Sequence, residues 1–326
     1  MKVLIALLLL LTCGAASAEP ARIAMVLWRG ETEVERGFRA ALAEQGVEAT
    51  IEVHNIERDT GRLPGIVRAL RESPPDLVYT WGTSVTLGVA GRWDAPASDE
   101  RLSGVPMLFV MVAAPFDTGV APAPPLPPRS DLTGVSHIAP LEAQINAVRS
   151  YLPLRKLGIV FNPREANSVS NVEALRRLAE RLKFTLLEAP VPAGTDGQPS
   201  PEAIPALVAG LAGQGAQVLY IGPDNFVGNH REALTSAGIA HGLPAFTATE
   251  LEIRDGEAMF GLVSRYEQVG RLAALKARAM LVEHKTPAEL PVETLERFAY
   301  LIRLPVARRL QLYPPLQLLR YAEIIE

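Results

Sequence analysis

Short apolar runs of strand length alternate along most of this 326-residue chain with segments whose apolar residues recur every three or four positions. Arg22 to Leu27 reads as a first strand, followed by the loop Trp28-Arg29-Gly30-Glu31-Thr32. A helix comes next, with Val34, Phe38, Ala41 and Leu42 on one face, and Gly46 ends it. Thr50 to Val53 gives a second strand and Leu63 to Leu70 a second helix. Asp76 to Trp81 is a third strand that breaks at Gly82 into a helix beginning Thr83-Ser84, and Pro106 to Val112 is a fourth, nearly all apolar. After Asp131-Leu132-Thr133-Gly134-Val135 the pattern restarts. Helices are predicted over Leu141 to Leu152, Val169 to Leu182, Ala203 to Leu211 and Phe226 to Ala237, and strands over Lys156 to Phe161, Phe184 to Glu188, Gln217 to Ile221 and Ala245 to Thr247.

Repeated strand-helix units of this kind imply parallel sheets covered on both faces. Their occurrence twice in succession, with a join near Gly134 to Pro140, predicts an α/β protein of two Rossmann-like lobes. Ala258 to Val263 and a helix from Glu267 to Glu283 are expected to be extra elements of the first lobe, with a strand at Tyr300 to Leu304 crossing back. Several crossings make a hinge. The expected division is residues 19–136 with about 251–285 in lobe 1, and 137–250 with about 286–326 in lobe 2. Ala121 to Pro128, five prolines in eight residues, reads as a stiff extended surface loop.

The N-terminus changes the picture of where the protein works. Lys2, the apolar run Val3 to Leu11 and the small residues ending Ala16-Ser17-Ala18 have the layout of a cleavable secretory signal, too short to span a bilayer. Cleavage after Ala18 removes Cys13, the only cysteine, so the mature chain would have no disulfide or thiolate ligand. Lipid anchoring at Cys13 is the minor reading, because Thr12 is bulkier than the residue such processing usually takes. Loss of Lys2 takes the formal charge from −4 to −5, and the arginines are scattered singly among glutamates, which argues against a nucleic-acid surface. An exported, soluble protein is expected.

Ligands of open α/β sheets bind at the carboxyl ends of the strands. The loops there are Arg29-Gly30-Glu31, Gly82-Thr83-Ser84, Ala113-Ala114-Pro115, Asn162 to Ser168 and Pro223-Asp224-Asn225, the first three on one wall of a shared cleft and the last two on the other. Pro163 stops its strand, and Asn167 or Ser168 can open a helix whose first N–H groups and positive dipole end face a polar or anionic ligand. Hydroxyls, amides and helix N-termini suit a carboxylate, and Asp224 suits an amine, although each polar residue could equally cap its own helix. Arg29 could clamp a carboxylate, and Trp28, Trp81 and Phe226 could stack on a ligand. His54, His137, His230, His241 and His284 show no metal spacing, and there is no nucleophile elbow, phosphate loop or dinucleotide fingerprint. No cofactor, metal or catalysis is expected. Glu250, Glu252, Asp255 and Glu257 read as a solvated acidic turn.

Gly158-Ile159-Val160-Phe161-Asn162-Pro163-Arg164-Glu165-Ala166-Asn167-Ser168-Val169, continuing to Leu175, resembles the most characteristic stretch of a family of ABC-transporter solute-binding proteins that includes binders of tryptophan and other aromatic amino acids. Leu132 to Ser136, Pro223-Asp224-Asn225 and the closing Tyr321 to Glu326 look like that family's corresponding stretches, so the resemblance covers nearly all of the mature chain. It implies the type I periplasmic-binding-protein fold, capture of a small-molecule ligand, and delivery to an ABC permease in the inner membrane; a monomer is the expected state of a receptor that must open and shut. A sensory module of the same fold is the alternative. The resemblance also implies ligand contacts from Thr83, Ser84, Asn167, Ser168, Asp224 and Asn225, with Asp224 on the amine and Ser84, Asn167 and Ser168 on the carboxylate. Arg29, Trp81, Ala114 and Asn162 complete the candidate set. Two stretches depart from the family pattern: Ala113-Ala114-Pro115-Phe116, where the family commonly carries an aspartate, and Arg29-Gly30-Glu31-Thr32.

Overall fold

The computed structural model describes residues 19–96, 98, 100–195 and 197–326; the expected signal segment, with Cys13, lies outside them. The first half runs β1 (Ala21–Leu27), α1 (Glu33–Glu44), β2 (Ala49–Asn55), α2 (Leu63–Glu72), β3 (Leu77–Trp81), α3 (Thr83–Ala90), β4 (Met107–Val110) and β5 (Leu132–Val135). Its five strands are all parallel, in the order β2-β1-β3-β4-β5. The second half continues with α4 (Leu141–Tyr151), β6 (Lys156–Phe161), α5 (Ala166–Leu182), β7 (Thr185–Pro190), α6 (Ile204–Gly213), β8 (Val218–Ile221), α7 (Asn225–Asn229), α8 (Arg231–Ala240), β9 (Ala245–Thr247), α9 (Leu251–Arg254), β10 (Phe260–Val263), α10 (Tyr266–Leu281), β11 (Ala299–Arg303), α11 (Leu304–Arg309) and β12 (Glu323–Ile325). The second sheet has the order β12-β11-β10-β9-β8-β6-β7, antiparallel only between β10 and β11.

Both sheets are apolar on both faces, as parallel sheets require. In the first, Tyr79 and Val110 meet α1 and α10 on one side, while Val78 and Phe109 meet α2 and α3 on the other. In the second, Leu157 and Phe246 pack toward α4 and α5, and Leu219 and Ile221 toward α6 and α8.

The expected placement of Ala258 to Val263 is corrected here. Strand β10 pairs with β9 and so extends the second sheet rather than the first. The free edge of β9 accepts it, whereas the edge of β5 is covered by the returning chain, where Val135 bridges Glu293 and the Ser136 N–H donates to the Glu293 carbonyl at 2.7 Å. From residues 251–285, then, it is α10 that packs on the first lobe, and the strand before it stays with the second. The contact of α10 with α1 is at backbone distance: a Cβ on Gly270 would lie 1.9 Å from the Val34 carbonyl oxygen, and one on Gly37 would lie 2.3 Å from that of Glu267. The chain passes between the two sheets after β5, after β10 and before β11, and these three crossovers form the waist.

Candidate functional site

The strands of both sheets end at one cleft beside that waist. Between the lobes lies a cavity of about 50 Å³.

The wall from the first lobe is basic and rich in donors. Arg29 follows β1, half-buried, with its guanidinium 5.0 Å from the Trp81 ring centroid and no carboxylate partner among the described residues. Trp81 ends β3 and is buried with its indole Nε1 unpartnered. Gly82, at φ 81°, turns the chain from β3 into α3 and supplies no side-chain cap. The first N–H groups of α3 therefore stay open at the cavity, where Thr83 lines the wall. Met111, a left-handed residue at φ 57°, and Ala113 continue this wall after β4. His137, in the first crossover, is buried with Nδ1 unpartnered; burial, and then the Arg29 charge, push its pKa down to about 3, so it is neutral.

The wall from the second lobe is acidic. Asp224 is the N-cap of α7: its Oδ1 accepts from the Val227 N–H at 2.9 Å, and its Oδ2 from the Asn162 N–H at 2.7 Å and the Ser168 hydroxyl at 2.6 Å. Glu165 accepts from the two preceding N–H groups, Asn225 and Phe226, both at 2.9 Å. The two carboxylates thus occupy the start of α7, and their proximity matters: burial first, then the Glu165 charge, raises the Asp224 pKa to about 7 against the lowering effect of its three donors. An acid held above its unfolded value of about 3.9 binds more protons folded than unfolded between those pH values. Its share of stability therefore falls as pH rises from about 4 to about 7 and levels off above that. Thermal midpoints of the wild type minus those of Asp224→Asn should decline across this window.

Glu252, on α9, is buried against the same cavity and accepts from the hydroxyls of Thr249 and Thr247. Its Oε1 abuts α7, 3.1 Å from where a Cβ on Gly228 would lie. Tyr266, the first residue of α10, closes the floor of the cavity; burial and then Glu252 raise the proton affinity of its phenol while Arg29 lowers it. Beside it, Glu250 is also buried, accepting from Arg265 at 2.7 Å, Arg254 at 2.6 Å and the Tyr266 N–H at 2.8 Å.

Of the residues singled out from sequence, Arg29, Trp81, Thr83, Asn167, Asp224 and Asn225 line this one cavity. Ala114 lines an adjoining compartment of about 340 Å³, reached past Asn167 and Pro223 and walled by Phe116, Ile138 and Leu141. Ser84 does not line the cavity: consecutive helical residues point about 100° apart, and Thr83 takes the inward position. Ser168 and Asn162 stand behind the wall, not in it. The Ser168 hydroxyl is spent on Asp224, and the Asn162 side chain forms a local turn with Arg164 N–H and Glu165, so neither is placed to hold a ligand carboxylate. Asn167 donates its amide to the Pro223 carbonyl at 2.7 Å. Phe226 packs on His230, with ring centroids 4.7 Å apart. The acidic turn is corrected as well, since Glu250 and Glu252 are buried. Its position was available from the rule that picked out the other loops, for it follows the carboxyl end of β9. His137 and Tyr266 sit in crossovers and carry no comparable local signal.

Among the described residues no group of histidine, cysteine, aspartate or glutamate side chains is arranged to hold a metal, and no helix is long and apolar enough to cross a membrane. A tyrosine-binding protein of Clostridioides difficile (strain R20291) is 22% identical over 276 residues, which is 83% of this chain and 74% of that protein. A conserved domain protein from Vibrio cholerae superposes with a TM-score of 0.79 at 22% identity, covering 94% of this chain and all of the other (100%). An ABC domain in complex with L-Trp from Streptococcus pneumonia gives a TM-score of 0.79 at 19% identity, covering 94% and 99%. The shared architecture is the type I periplasmic-binding-protein fold. Residues 23–325, nearly the whole chain, match the description "ABC transporter substrate binding protein", and the chain belongs to that family.

Proposed function

We propose that this protein is the periplasmic solute receptor of an ABC importer, capturing an amino-acid-like ligand between its lobes and passing it to a permease in the inner membrane. The observation that carries this reading is the opposition of charge across the cleft: Arg29 and the uncapped start of α3 on one wall, Asp224 on the other. That pattern complements an α-amino carboxylate, with the carboxylate on the first lobe and the ammonium on the second. The relatives named for tyrosine binding and solved with L-Trp support the same class. Capture follows from differential affinity, since a ligand touching both walls only when they meet shifts the population toward the shut form. The receptor acts as a monomer, because its working motion is internal to one chain.

A thermal-shift screen of amino acids and small carboxylates tests the reading. At a ligand concentration one hundred times Kd the midpoint should rise by about 5 °C. A broad panel without any shift would overturn it. Titration of a hit should also change the intrinsic fluorescence, because Trp81 forms part of the wall beneath Arg29. Trp81→Phe should lose most of that change while Trp93→Phe, an exposed position, keeps it.

A further inference from the structure

The cavity holds more acid than a zwitterionic ligand requires. Asp224 and Glu252 both line it, against the single guanidinium of Arg29. None of the three is in an ion pair among the described residues. Arg58, on the first lobe, is exposed to solvent and its charge falls on His230, at the C-cap of α7. If a ligand ammonium sits on Asp224 and its carboxylate on Arg29, Glu252 is left as a buried carboxylate with only two threonine hydroxyls to answer it. A buried, uncompensated charge is costly, and a second cation is the remedy.

The two acids have separate hydrogen-bond partners. Asp224 belongs to the α5 side, tied to Asn162 and Ser168 and with Glu165 as its acidic neighbour. Glu252 lies against Gly228, one turn along α7 from Asp224, and its charge falls on the Tyr266 phenol. Two unpartnered side-chain nitrogens, both more than nine-tenths buried, border the same space: Trp81 Nε1, 6% exposed, and His137 Nδ1, 4% exposed. They mark it as a ligand site independently of the carboxylates.

We infer that the ligand is a cationic amino acid, a carboxylate carrying two positive groups of the diamino or guanidino type, with Glu252 seating the second cation. This rests on the amino-acid reading above and narrows it. Glu252 thereby becomes the specificity-determining residue, which an acidic turn in the sequence would not suggest.

Calorimetric titration of the full mature chain with lysine, ornithine and arginine, each set against norleucine, and with tryptophan and tyrosine, decides it. The cationic series should bind about tenfold tighter than norleucine or better. In Glu252→Gln, of nearly the same shape, that ratio should collapse to within about twofold. Equal or tighter binding of norleucine, tryptophan or tyrosine by the wild type would overturn the inference and leave the amino-acid reading standing. Absence of binding by every compound would overturn both. The wild-type ratio alone tests the inference should the variant fail to fold.

Discussion

Asp224→Ala is expected to lower stability by about 3 kcal/mol and to weaken ligand binding by about a hundredfold. The carboxylate answers three donors at once, the Asn162 N–H, the Ser168 hydroxyl and the Val227 N–H, at 2.6 to 2.9 Å. Truncation orphans all of them, and each buried donor left without a partner costs about 1–3 kcal/mol; relief from the Glu165 charge and entry of water offset part of the total. Binding suffers separately, because a hydrogen bond to a charged group is worth about 1.5–3 kcal/mol, or ten- to a hundredfold. Urea denaturation measures the first effect and calorimetric titration the second. Asp224→Asn distinguishes them: it keeps one acceptor oxygen for the loop while removing the negative charge, so it should retain most of the stability and lose most of the affinity. Unchanged affinity in both variants would remove Asp224 from the site.

Gly270→Val should be comparably damaging although it touches no ligand. The added atoms would meet the Val34 carbonyl oxygen at 1.9 Å and the Phe38 nitrogen at 2.7 Å. Both are backbone atoms of α1, which cannot swing aside as a side chain can. Overpacking of this kind costs about 1–3 kcal/mol and more where backbone must yield, so a fall in the melting midpoint of about 5 °C is expected by calorimetry. Because α10 starts at Tyr266 in the cavity floor, ligand affinity should fall with it. Gly65→Ala is the control, placed on α2 with nothing within 4 Å of the new carbon, and should be neutral or slightly stabilising. A midpoint for Gly270→Val within about 1 °C of the wild type would refute the close-contact account.

The sequence shows the central parallel strands well because they are apolar runs closed by Gly, Pro or a capping residue, as at Trp81-Gly82 and Phe161 to Pro163, whereas the edge strand β12 is three residues long and gives no such signal. Strand β5 was less visible, since Thr133 and Gly134 interrupt its apolar pattern; Thr133 instead gives its hydroxyl to the Leu290 carbonyl at 2.7 Å. The partner of β10 is a matter of which edge is free, and no local periodicity carries that. At the site, the rule of carboxyl ends located Arg29, Trp81 and Asp224 without knowledge of the fold. The roles of Ser168 and Asn162 were harder to read because capping, turn formation and ligand binding call for the same residue types. Glu252 was missed because the burial of a charge depends on partners, here Thr247 and Thr249, that sit on a buried strand end.

The seat of α10 on α1 has a bearing on biogenesis. The first lobe is finished by a helix encoded near the opposite end of the gene, so a chain emerging vectorially leaves the apolar face around Val34 and Phe38 wet until Tyr266 to Leu281 arrives. Each half is completed late: the early one awaits a lid from the late one, whose own sheet gains β11 and β12 only after that lid has been threaded across. Final consolidation is therefore a single late event, and a nascent polypeptide stalled before residue 266 should stay protease-sensitive throughout.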